Sequence, residues 1–245
     1  MRRMKRFFTL VMAVVVGISV IGYTSEMSAK TKRTARKATT SKRQHTPVQI
    51  SEPDGYIDGH GYVDLGLPSG TKWAIYNVGA EAPTEYGYYF SWGNIKPYQY
   101  PEKAVSRMNG VRIENICGDA QYDAATANFG KNWQMPAIAD VTELEENCEL
   151  KEVKINGTKG LLIIGKNKKN IFMPYAGEYF ADSNEFGEDS LGFWTGESEE
   201  VPYSDSNEVS WCIENSPADA EHDDIWLTGS NVFRNYALSI RAVSK

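Results

Sequence analysis

Short apolar runs separated by turn residues dominate the chain after residue 60. In YVDLGLPSGTKWAIYNVG, residues 62–79, the apolar residues before the break suit a strand, Pro68-Ser69-Gly70 suits a turn, and residues 72–78 are again extended in character. The pattern therefore predicts a hairpin whose two strands are interrupted by a glycine- and proline-containing connection.

Two stretches have helical periodicity instead. Residues 123–129 are short and alanine-rich, which predicts a helix that ends at Gly130. Over residues 138–150, apolar residues recur at intervals of three and four, and the acidic residues between them, Asp140 included, are expected to face solvent. We therefore predict two helices.

Strand patterns follow the second helix. The six predicted strands are 161–164, 171–174, 192–195, 209–213, 225–228 and 237–243. Asn156-Gly157 and residues 165–170 have the composition of hairpin connections. Few long helices and many short strands predict an α+β fold.

Residues 1–29 have the pattern of a secretory signal peptide. The basic segment MRRMKR precedes an apolar run over residues 7–22, and Ser28-Ala29 offers small residues for cleavage. The run is shorter than the roughly 20 residues that span a bilayer, and an uncleaved anchor is the alternative interpretation. We expect an exported protein, located at the cell surface, in the periplasm or secreted, with no transmembrane segment after signal removal.

Charge and composition divide the remaining chain. Residues 30–55 are predicted to be a basic disordered tether, because their first part contains almost no apolar residues. Residues 56–245 are predicted to be the folded domain. Residues 1–43 carry a net charge of +10 and residues 44–245 carry −16. The acidic domain argues against nucleic acid as a ligand, whereas the tether could contact an anionic surface.

Cysteine, histidine and acidic residues give no support for catalysis. Cys117, Cys148 and Cys212 are an odd number, so at least one thiol is free or paired outside the chain, and their spacing does not choose a pair. No HExxH, nucleophile elbow or phosphate loop is present. The stretch His222-Asp223-Asp224 fits an acidic loop better than a metal site. We predict no catalytic residue, no metal and no cofactor.

Tryptophan rings are the natural candidates for stacking on sugars or other flat ligands. Trp73, Trp92, Trp133 and Trp194 lie among glycines and strand residues, and we expect them to fill the core. Arg241 alternates with apolar residues, which indicates a structural salt bridge or hydrogen bonds to the backbone.

Six sequence blocks together resemble the Fibrobacter succinogenes major paralogous domain, a family abundant in secreted proteins of Bacteroidota. In the family's order, the blocks are YVDLGLPSGTKWAIYNVGA, EYGYYFSWG, NFGKNWQMPAIADVTELEENC, GLLIIGKNKKNIFMPYAG, GFWTGES and YALSIRAV, and they span residues 62–243. The family is similar to C-type lectin-like domains. The resemblance therefore implies two helices, a looped-out region and terminal strands that pair with each other.

The resemblance implies a shape and not calcium-dependent sugar binding. C-type lectins that bind sugar through calcium use a Glu-Pro-Asn or Gln-Pro-Asp loop followed by Trp-Asn-Asp. Here Glu52-Pro53-Asp54 precedes the whole fold, and no Trp-Asn-Asp occurs. Related lectin-like folds include the formylglycine-generating oxidases, which use a close cysteine pair, and the scattered cysteines of this chain do not match that pattern.

The expected function is a non-enzymatic binding or adhesion module for an unknown protein or glycan ligand. The alternatives are a structural subunit of a surface assembly and an enzyme of formylglycine-generating type. Binding surfaces tend to lie on loops held by a rigid scaffold, and residues 196–236 are loop-rich and acidic. The predicted ligand-contacting residues are Trp194, Trp211, Trp226, Asn231 and Arg234, with aromatic stacking as anchor and amide or guanidinium hydrogen bonds for orientation. For Trp194 the core interpretation competes.

Overall fold

A computed structural model describes residues 48–99, 103–180, 186–187, 190–198, 209–216 and 225–245. They belong to one unit, Thr46–Lys245. The predicted signal peptide, most of the predicted tether and the stretch 222–224 lie outside the described residues.

Helices and antiparallel sheets are both present, which confirms the α+β prediction. The helices are α1 (Ala124–Phe129) and α2 (Ile138–Asn147). The strands are β1 (Gly55–Ile57), β2 (His60–Val63), β3 (Lys72–Ala74), β4 (Phe90–Ser91), β5 (Glu149–Ile155), β6 (Thr158–Ile164), β7 (Asn170–Pro174), β8 (Glu178–Tyr179), β9 (Phe186–Gly187), β10 (Gly192–Trp194), β11 (Val209–Ser216), β12 (Trp226–Phe233), β13 (Ala237–Leu238) and β14 (Val243–Ser244). Their sheet orders are β1-β2-β3-β14, β4-β13-β8-β9, β5-β6-β7 and β10-β11-β12.

The predicted hairpin is confirmed, but its second strand, β3, ends at Ala74 and not at residue 78. β2 and β3 are antiparallel, and Val63 lies opposite Trp73. Within the connection, the Gly70 amide donates a hydrogen bond of 3.0 Å to the Leu67 carbonyl, which closes a turn around Pro68 and Ser69. The other edge of β3 pairs with β14, so the first and last strands of the described unit share one sheet.

The second helix ends earlier than predicted. α2 stops at Asn147, and Cys148 is already extended with φ −116° and ψ 157°. β5 then pairs with β6 across the predicted Asn156-Gly157 turn, where both residues have positive φ. Cys148 continues the three- and four-residue spacing of the helix. The sequence pattern therefore extends the predicted helix into residues that belong to β5. Asp140 is buried, which corrects its predicted exposure, because its carboxylate accepts the Ala137 amide at 2.8 Å.

The last predicted strand, 237–243, is two short strands in different sheets. Between them, Arg241 is 0% exposed and donates to the carbonyl oxygens of Ala74, Ile75 and Phe172 at 3.1, 3.1 and 2.9 Å. The predicted hydrogen bonding of Arg241 to the backbone is confirmed. Burial lowers its pKa to about 9, so the guanidinium stays charged at neutral pH.

Two apolar clusters form the interior. One contains Trp73 with residues of α2, β6 and β7, and the other contains Trp92, Trp133 and Trp194 with residues of α1 and β13. All four tryptophans are 0% exposed, which confirms their predicted place in the core.

The folded unit begins before the predicted boundary at residue 56. The Ser51 amide donates to Asn170 Oδ1 at 3.2 Å, and the Asn170 amide donates to Ser51 Oγ at 2.9 Å. Asp54 forms an ion pair with Lys169. Residues 48–54 therefore contact the domain and are not part of a detached tether.

Candidate functional site

Trp211 and Asn231 are brought together by the hairpin of β11 and β12. They are directly opposite each other in the antiparallel register, so their side chains project from the same face. Trp211 is half-buried and Asn231 is exposed. These two of the five predicted ligand-contacting residues share one surface.

Gly229 and Phe233 complete this surface, because alternate residues of a strand share a face. A Cβ atom on Gly229 would come within 3.2 Å of Trp211 Cε3 and Cζ3, so the missing side chain leaves room for the indole ring against β12. Phe233 is 53% exposed. We call Trp211, Gly229, Asn231 and Phe233 the hairpin face.

Further rings continue from the hairpin face. The Phe233 ring centroid lies 6.0 Å from that of Tyr236, which lies 5.2 Å from that of Phe180. Both Tyr236 and Phe180 are half-buried. An aromatic surface thus extends from the end of β12 to the residue after β8.

Trp226 lies away from the hairpin face. It pairs with Ser216, five register positions from the Trp211–Asn231 pair. An odd separation puts it on the opposite face of the hairpin, at a distance of roughly 17 Å along the strands. The structure therefore does not bring Trp226 to the other predicted residues.

Trp194 and Arg234 are buried, and the prediction that they border an open surface is wrong as to their position. Trp194 is 0% exposed, and its Nε1 donates to the Phe90 carbonyl at 2.7 Å. Arg234 is 2% exposed, and its guanidinium lies over the Trp92 ring. Their polar atoms bond inside the protein, so both side chains support the scaffold.

Glu178, Cys212 and Glu214 form a polar cluster that the sequence did not predict. The Cys212 thiol donates to Glu214 Oε1 across 3.8 Å. Burial, followed by the charge of Glu214, raises the pKa of Glu178 to about 7. Burial also raises the pKa of Glu214 and of Cys212. This pair of carboxyl groups therefore retains protons at pH values where exposed glutamates have lost them.

The described residues offer no site for a metal and no membrane-spanning helix. No group of three or more His, Cys, Asp or Glu side chains among them could hold a metal ion. None of their helices has the length and apolar character needed to cross a bilayer.

Cys117, Cys148 and Cys212 all carry free thiols, and burial raises the pKa of Cys117 to about 12 and of Cys148 to about 11. Such thiols are weakly nucleophilic at neutral pH.

Extension of the predicted strand 225–228 to residue 233 would have placed Phe233 on the same strand face as Asn231. The pattern from Gly229 through Asn231 to Phe233 alternates at the spacing of a strand face, but the predicted strand stopped at residue 228.

The chain was also compared with family models, with curated proteins and with solved structures, and none of the three comparisons gave a match.

Proposed function

We propose that this protein is an exported, non-enzymatic binding module of C-type lectin-like fold, related to the Fibrobacter succinogenes major paralogous domains. It acts at the cell surface, in the periplasm or as a secreted protein, and it binds a protein or glycan ligand. The basic N-terminal pattern of residues 1–29 supports export.

Three features of the fold support the lectin-like part of this proposal. The described unit has two helices, and β14 pairs with β3, so that terminal strands share a sheet. Residues 75–89 and 103–123 contribute no strand to the four sheets and, in the described part, no helix. These are the features that the family resemblance implies.

The hairpin face is the observation that carries the binding proposal. It places an exposed phenyl ring and a half-buried indole beside an exposed amide. Aromatic rings stack on the apolar side of a sugar or on a planar side chain, and an amide donates and accepts hydrogen bonds that orient the ligand. Ring and amide together therefore suit either a glycan or a protein ligand.

The backbone around Trp211 holds this surface rigidly. The Trp211 amide donates to the Glu197 carbonyl at 3.1 Å, and the Thr195 amide donates to the Trp211 carbonyl at 3.0 Å. The backbone of Trp211 thus bonds to the segment after β10, while the pairing of β11 with β12 sets Trp211 opposite Asn231. A ligand would meet a preformed surface, which lowers the entropy cost of binding.

The test begins with the full chain on glycan and protein arrays, followed by titration of the strongest binder. Trp211→Ala should weaken binding by roughly 1 to 3 kcal/mol, with an unchanged near-ultraviolet circular dichroism spectrum outside the lost indole signal. Trp226→Ala is the matched control, because it removes the same ring from the opposite face of the same hairpin. Folded Trp211→Ala and Phe233→Ala variants that bind like the parent protein would place the site elsewhere.

A structural subunit of a surface assembly is the second candidate, favoured by the exposed ring of Phe233. In that case the hairpin face would contact another copy of the chain. Sedimentation equilibrium distinguishes the two functions: self-association that Phe233→Ala abolishes supports the subunit, whereas a monomer that binds an array ligand supports the binding module.

A further inference from the structure

A surface cavity of about 480 Å³ collects basic side chains from three distant parts of the chain. Lys72 comes from β3, Lys131 from the turn after α1, and Lys245 follows β14. Over residues 44–245, acidic residues outnumber basic ones by 31 to 15. Three lysines around one cavity are therefore unexpected from the overall charge. We call this the lysine cavity.

Backbone pairing holds the walls of the lysine cavity in place. Lys72 lies directly opposite Ser244 in the β3–β14 pair, so the two side chains project from the same face. Gln134 and Val243 exchange two backbone hydrogen bonds of 2.9 Å each. These bonds join the segment after α1 to the strand that carries Ser244.

Two neutral polar side chains of the cavity have no hydrogen-bond partner within the described residues. Ser244 is 5% exposed, and neither its hydroxyl nor the side-chain amide of Gln134 bonds to another described group. The hydroxyl and the amide are therefore available to hydrogen-bond a ligand in the cavity.

The lysines also have charge available for a ligand. In the part of the chain that the structure describes, Lys72 and Lys131 form no ion pair. The Lys72 ammonium lies 4.9 Å from the centroid of the Tyr62 ring, which stabilises the cation without neutralising it.

Two carboxylates lie beside the cavity. Asp140 pairs with Lys245 at 3.2 Å, and Asp58 accepts hydrogen bonds from Asn132 Nδ2 at 3.0 and 3.1 Å. Asp140 neutralises Lys245, whereas Lys72 and Lys131 remain cations without an ion pair among the described residues. At physiological ionic strength, charges beyond about 8 Å are screened, so the acidic remainder of the domain does not cancel this local charge.

We propose that the lysine cavity binds a tetrahedral oxyanion, namely a phosphate or sulfate group carried by a small organic molecule. Ammonium groups act as point charges, without the planar fork of a guanidinium that matches a carboxylate. Because they converge from three elements, they suit an anion whose oxygens point in several directions. The Ser244 hydroxyl and the Gln134 amide supply further donors, and the volume lies within the about 300 to 1,000 Å³ of small-molecule sites. This site does not depend on the hairpin face.

The test is calorimetric titration of the full chain at physiological ionic strength with glucose 6-phosphate, glucose 6-sulfate, glucuronate and glucose. We expect one or both of the first two probes to bind, and the stronger of them identifies the source of the oxyanion. Lys72→Gln and Lys131→Gln should each weaken that binding at least about fivefold. Lys131→Arg keeps the charge and should restore most of the affinity.

Lys154→Gln is the matched control, because Lys154 is exposed on β5 and does not line the cavity. The comparison also distinguishes anion binding in the cavity from anion attraction by the basic residues 30–43, which are present in every variant. Equal weakening by Lys154→Gln, or no binding that depends on Lys72 and Lys131, would overturn the site. Glucuronate binding as tightly as the better ester would overturn the tetrahedral class. Circular dichroism confirms that each variant is folded.

Discussion

The guanidinium of Arg234 lies 4.5 Å from the centroid of the Trp92 ring and donates to the carbonyl oxygens of Met108 and Val111 at 2.7 and 2.8 Å. These contacts join the segment around residues 108–111, which belongs to no sheet, to the end of β12. Burial lowers the pKa of Arg234 to about 10, so the side chain remains a cation. A charge in the interior thus holds an irregular segment in place.

Arg234→Lys should destabilise the fold by about 2 to 4 kcal/mol. A lysine ammonium cannot reproduce the fork that reaches both carbonyl oxygens and also Ser210 Oγ, 2.9 Å from Arg234 Nε, and it leaves buried acceptors unpaired. Urea unfolding measures the loss. Arg107→Lys, at an exposed arginine, serves as the control and should change stability by less than about 0.5 kcal/mol. An equal effect of the two substitutions would contradict the role assigned to Arg234.

Trp133→Ala and Trp194→Ala should each cost on the order of 3 to 5 kcal/mol, because both rings are 0% exposed and their removal leaves a cavity. Each variant also loses an indole hydrogen bond, to the Ile57 carbonyl at 2.9 Å and to the Phe90 carbonyl at 2.7 Å respectively. The urea midpoint of each variant measures the cost. A change below about 1 kcal/mol would mean that the ring lies at the surface.

Glu178→Gln should stabilise the protein above neutral pH and have little effect near pH 4. Burial and the charge of Glu214 raise the pKa of Glu178 from 4.5 to about 7. The stability associated with its proton is complete below pH 4.5 and is lost as the pH rises through about 7. The amide cannot ionise, so the variant should gain about 1 to 2 kcal/mol at pH 8 after allowance for solvent screening.

Chemical denaturation at pH 4, 6 and 8 measures this difference. Glu146→Gln, at an exposed position on α2, is the control and should show no such pH-dependent gain. Parallel stability curves for the parent protein and Glu178→Gln would show that Glu178 ionises in the folded state as it does in the unfolded state.

Export should remove the N-terminal pattern. The basic segment and the apolar run predict a mature chain that begins near Lys30. Sequencing of the N-terminus of the exported protein checks this prediction. A chain that still begins at Met1 in the membrane fraction would indicate an uncleaved anchor.

The local sequence pattern was sufficient to predict elements that depend only on residues close together in the chain. The Asn156-Gly157 turn and the helix that ends at Gly130 follow from turn and capping preferences of single residues. The end of α2 did not follow, because the spacing at Cys148 fits a helix, while pairing of β5 with β6 makes it extended. Tertiary pairing overrides such a local preference.

The candidate sites were less predictable than the core. The sequence predicts Trp211 as a contact residue because aromatic residues are common contact groups. Its neighbours depend on the register of β11 and β12, which places Asn231 beside Trp211 and Trp226 on the opposite face. The sequence predicts Arg234 as a surface donor, because a lone arginine carries no sequence signal for burial. The lysine cavity joins residues as distant as Lys72 and Lys245, and no local pattern connects them.

The pairing of β3 with β14 makes completion of the fold a late event in the life of the chain. Val243 must find Trp73 across most of the sequence of the domain, which raises the contact order and slows folding. The sheet cannot close until residue 244 has been synthesised. A nascent chain therefore lacks its closing strand until its last residues are made, and the domain should become resistant to proteases only after β14 has paired with β3.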